Sequence, residues 1–135
     1  MDKIELWTDR ENKKIDPTLF SDKAEKLAKQ LAADCKNSGG KKNKISQIRK
    51  FYDEVVRLNM TAKNQNSDWD HILPMVNMII AKTAYAKGRK LISKNFLDFM
   101  KLSIQQVETP EDLAVFANLF EAFYGFYKMH CPSNK

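Results

Sequence analysis

Apolar residues recur three and four positions apart along most of the chain, the spacing of one face of a helix. Phe20, Ala24, Leu27, Ala28, Leu31 and Cys35 predict a first helix from about Ser21 to Lys36. Asn37-Ser38-Gly39-Gly40 ends it, because glycine accepts the left-handed backbone that follows a helix. Ile45, Ile48, Tyr52, Val55, Val56 and Asn59, with Phe51 at the edge, predict a second helix from about Lys44 to Ala62. Lys63 to Ser67 is a polar connector.

Ile72 to Ala86 is apolar nearly all round, which predicts a central, buried third helix. Asp68 or Asp70 can cap it, with Pro74 in its first turn. Phe96, Phe99, Met100 and Val107 mark the inner side of a fourth helix, from about Ser93 to Gln106. Thr109-Pro110-Glu111-Asp112 is a helix start: a cap, a proline at the first position and acids at the positive dipole end. The fifth helix runs from there to about His130. It is rich in aromatics; most should enter the core, while Phe126 and Leu119 are candidates for a neighbouring subunit. No strand pattern appears. The expectation is an all-α, single-domain bundle of about five helices at 20–135, preceded by a loose arm at 1–19 docked through Ile4, Leu6 and Trp7.

A chain of 135 residues with 43% hydrophobic positions can bury a core without disulfide or metal staples. Cys35 and Cys131 fit no metal-ligand spacing and read as reduced thiols of a cytoplasmic protein. The polar start resembles no signal peptide, and no apolar run could span a bilayer, so no membrane partner is expected.

Charge changes the picture more. The net charge is +6. Lys41 to Lys50 and His71 to Leu97 together hold ten bases and no acid, which leaves 13 bases against 17 acids elsewhere. Positive charge gathered into two blocks points to a polyanion, although a solvated basic surface fits charge alone.

Enzyme chemistry finds no foothold. There is no nucleophile elbow, P-loop, dinucleotide fingerprint or zinc spacing. His71 and His130 fall at helix ends. Asp53 and Glu54 are adjacent and point about 100° apart on a helix, so they do not converge. Their expected partners lie four residues away, as Arg49–Asp53, Lys50–Glu54 and Asp53–Arg57. No enzyme activity and no cofactor are expected.

Two stretches are more specific: Lys44-Ile45-Ser46-Gln47-Ile48-Arg49-Lys50-Phe51-Tyr52, and Ala81-Lys82-Thr83-Ala84-Tyr85-Ala86-Lys87-Gly88-Arg89. With Leu73-Pro74-Met75 before the second, and Phe120-Glu121-Ala122 with Tyr127 later, the order of motifs resembles the small-subunit family of type III-A CRISPR (Csm) effector complexes. The resemblance runs from about Lys44 to Lys128. It implies a helical protein without an active site, whose copies stack along a guide RNA–target RNA duplex beside the other Csm subunits and hold its backbone. The guide supplies sequence specificity by pairing.

The residues expected to meet RNA are Lys41, Lys42, Lys44, Gln47, Arg49 and Lys50 in the first block, and Lys82, Tyr85, Lys87, Arg89 and Lys90 in the second. Lys82, Tyr85 and Arg89 share a helical face. A lysine on so apolar a helix must reach water, an acid or a phosphate. Two other readings stay open: a generic basic helical interaction module, and a DNA-binding regulator that no helix-turn-helix spacing supports.

Overall fold

A computed structural model describes residues 1–131 as an all-α bundle. Its helices are α1 (Ala24–Asn37), α2 (Ile45–Lys63), α3 (Trp69–Gly88), α4 (Lys94–Ile104) and α5 (Pro110–His130). A single π-helical turn, Leu19–Lys23, leads into α1. It buries Leu19 completely and leaves Phe20 37% exposed, so the first apolar stripe begins one residue earlier than the spacing predicted. Among the described residues, extended pairing is limited to one bridge between Asp9 and Lys14.

The bundle is built around α5, not α3. α1 and α2 both pack along α5, while α3 packs on α2 and α4. Leu113, Phe116, Leu119, Phe120, Phe123 and Tyr127 are fully buried, so Leu119 is core and not a free surface residue. Phe99 of α4 meets Phe116, Phe120 and Phe123 at 5.6–5.9 Å between ring centroids. Phe96 joins Phe51 at 5.4 Å and Phe120 at 6.2 Å. Such tilted and edge-on pairs contribute about 0.5–1.5 kcal/mol each beyond the area they bury.

α3 corrects the expectation of a helix buried all round. Ile72, Val76, Ile79, Thr83 and Ala86 form its only buried stripe. Met75 is 40% exposed, Met78 54% and Tyr85 67%. With neighbours on one side only, it half-buries Trp69, Leu73 and Ile80 at the flanks of that stripe and leaves Met75, Met78 and Tyr85 outside. Of the two candidate caps the earlier one is used. Asp68 is its cap, accepting from the Asp70 N–H at 3.1 Å, which moves Pro74 from the first turn to the second. There Pro74 has no N–H to offer the Asp70 carbonyl.

The amino-terminal arm docks through Ile4, Leu6 and Trp7, the three residues expected, and is held by more bonds than a loose arm would need. Leu6 is fully buried, as its apolar character suggests. Gln106 brackets it, accepting from the Leu6 N–H at 2.9 Å and donating to the Ile4 carbonyl at 2.8 Å. Trp7 Nε1 donates to Asp112 at 2.8 Å, and Arg10 grips both oxygens of the same carboxylate at 2.7 and 2.8 Å. Asp112 completes a capping box with Thr109, so one carboxylate starts α5 and fastens the arm.

Candidate nucleic-acid interface

The two basic blocks lie apart in sequence and are joined by one asparagine. Asn43 is fully buried, with a left-handed φ of 60°. Its N–H donates to the Leu91 carbonyl at 3.0 Å, and its side chain accepts from the Ser93 N–H and donates to Ser93 Oγ, both at 2.9 Å. The Tyr127 hydroxyl donates to its carbonyl. Lys44 and Lys90 are each one residue from this tie, so the start of α2 and the end of α3 are held side by side. Asn43 was not among the expected residues. Its signal was its residue type, since asparagine in a loop is among the residues that best tolerate left-handed backbone.

α2 and α3 frame a hollow of about 310 Å³. Gln47 and Lys50 enter it from α2, Lys82 and Tyr85 from α3, with Arg89 just past the end of α3. Five of the expected residues thus meet in one place. The Arg89 guanidinium lies 5.8 Å from the centre of the Tyr85 ring, within cation–π range. Lys82 Nζ lies 3.8 Å from Glu54, and Arg57 also pairs with that carboxylate. Glu54 therefore draws its cations from α3 and from three residues on, and not from Lys50. Among the described residues Lys50 and Arg89 make no ion pair with an acid.

The remaining expected residues are more scattered. Arg49 lies 3.8 Å from Asp53 on the open side of α2, as the four-residue spacing predicted, while Asp53–Arg57 does not form. Lys42 lines a separate hollow with Asp34, Ser38 and Lys94. Lys41, Lys44, Lys87 and Lys90 are exposed. α2 begins at Lys44 with no side-chain cap and no acid in its first turn, which leaves its positive dipole end uncompensated among lysines. His71 sits exposed at the start of α3, and His130 Nε2 lies 2.8 Å from Glu25. Cys35 and Cys131 are both buried. Among the described residues no group of three or more His, Cys, Asp or Glu is placed to hold a metal ion, and no helix is long and apolar enough to cross a membrane.

Comparison with curated proteins and with solved structures gives no match. A family model described as Csm2 Type III-A matches residues 15–133. That span takes in all five helices and both basic blocks, and the chain belongs to the Csm2 family, the small subunit of type III-A CRISPR effectors.

Proposed function

We propose that the chain binds RNA through the face shared by α2 and the end of α3, holding the phosphate backbone of a guide–target duplex without catalysing a reaction. Copies of the chain stack along that duplex beside the other Csm subunits, in the cytoplasm. The observation that carries this reading is the hollow between α2 and α3, where Lys50, Lys82 and Arg89 surround a single acid that Arg57 also offsets. Three cations around one shared acid leave positive charge for an outside anion. Guide pairing selects the target, so contacts to phosphate are enough for the protein.

Binding of the full chain to RNA duplexes of unrelated sequence, titrated across salt, tests the reading. Affinity that falls steadily as salt rises, and is alike for all sequences, is the expected result. Salt-insensitive or sequence-selective binding would overturn it.

A further inference from the structure

We propose that the hollow between α2 and α3 is a slot for one unstacked RNA base, whose phosphates lie on the surrounding cations. The inference rests on the RNA-binding reading above and adds to it, since a backbone clamp needs charge but no apolar interior. Here part of the lining is apolar. Phe51, Ile79 and Ala86 line it and are each at most 9% exposed. At about 310 Å³ the hollow is at the lower end of ligand pockets, which run to roughly 300–1,000 Å³, so it suits a single ring system.

Tyr85 stands in this hollow 67% exposed, although the core has no need of it there. A half-open aromatic ring beside a guanidinium is a stacking platform, because every base offers a π-face. Gln47 lines the same hollow, and among the described residues its side-chain amide makes no hydrogen bond. It is available to the edge of a base. Glu54 does not repel the phosphates, being held by Lys82 and Arg57. The charge around the rim favours a base carried on a phosphodiester over the aromatic side chain of a partner protein.

The test compares a short single-stranded RNA with an abasic ribose-phosphate strand of the same length. Each is titrated against the full chain by fluorescence anisotropy at low salt. The wild type should bind the RNA about tenfold more tightly than the abasic strand, the scale of one base–aromatic stack. Tyr85→Leu should bind the two strands alike, and Tyr85→Phe should keep the preference. Thermal melting of both variants confirms an intact fold. Equal, salt-dependent binding of both strands by the wild type would overturn the slot and leave the backbone reading standing. A base preference that survives Tyr85→Leu would also overturn it and assign the exposed ring to a partner protein. Absence of salt-dependent binding to either strand would overturn the slot, and the duplex titration above then decides the backbone reading separately.

Discussion

Asn43 and Ser93, fifty residues apart, clasp each other through two hydrogen bonds of 2.9 Å, one in each direction. Asn43 also donates to the Leu31 carbonyl at 3.3 Å. Asn43→Ala would strand the Ser93 N–H and place alanine at a φ of 60°. A loss of about 3 kcal/mol or more is expected, from buried groups left unpaired and a left-handed alanine. Urea unfolding measures it. Asn43→Gly, which relieves only the backbone, should recover a fraction of that loss.

Asp112 should govern acid stability. Burial pushes its carboxyl up, but Arg10, the Glu108 N–H, Trp7 and the Thr109 N–H together hold it below the ordinary 3.8. A depressed carboxyl contributes stability at and above the unfolded value, and that contribution fades as pH falls below 3.8 toward the folded one. Asp112→Asn should cost about 2–4 kcal/mol at neutral pH, through lost charge-assisted bonds and a weakened cap. Its stability should also decline less steeply below pH 4 than the wild type's, as read from melting temperature against pH.

Tyr127 acts at the other end of the pH scale. Burial first, then the thiols of Cys131 and Cys35, raise its phenol well above 10.0. Unfolded chains release this proton near 10, whereas the folded protein keeps it, so stability should fall as pH rises above 10. Tyr127→Phe removes the bond to the Asn43 carbonyl and should cost about 1–2 kcal/mol at neutral pH. The same variant should show a shallower alkaline decline in equilibrium unfolding.

Charge removal on α3 should separate binding from folding. Lys82 is exposed, and its single acid, Glu54, keeps Arg57 when Lys82 is gone. Lys82→Ala combined with Arg89→Ala should therefore melt within a few degrees of the wild type. Affinity for RNA should fall by about 1–3 kcal/mol, the scale of charge-assisted bonds to phosphate. Lys63→Ala, at the last residue of α2 and outside both basic blocks, controls for charge alone. Circular dichroism melting beside an RNA titration distinguishes the two effects; unchanged affinity with an intact fold would release both residues from the interface.

Much of this architecture is legible from local pattern. Thr109-Pro110-Glu111-Asp112 marks the start of α5 because each residue answers a local need of the first turn. The apolar stripe of α4 and the Gly39-Gly40 break are local in the same sense. The place of α3 was not legible. Met75 and Met78 are as apolar as core residues, and only the number of neighbouring helices decides whether such side chains are covered. Pairing of Glu54 with Lys82 in place of Lys50 likewise needs the distance between two helices, which spacing along one helix does not contain. At the interface the bases and Tyr85 could be named, but the buried floor beneath them and the Asn43 tie belong to tertiary geometry.

α3 commits one stripe and its half-buried flanks to the interior and leaves the side bearing Met75, Met78, Lys82 and Tyr85 outside the core. A substitution at Met75, Met78, Lys82 or Tyr85 is therefore felt first by whatever molecule lies against the helix, and only weakly by the bundle. Shape and charge on that side can be retuned one position at a time, against a changing partner, on a scaffold that need not be rebuilt.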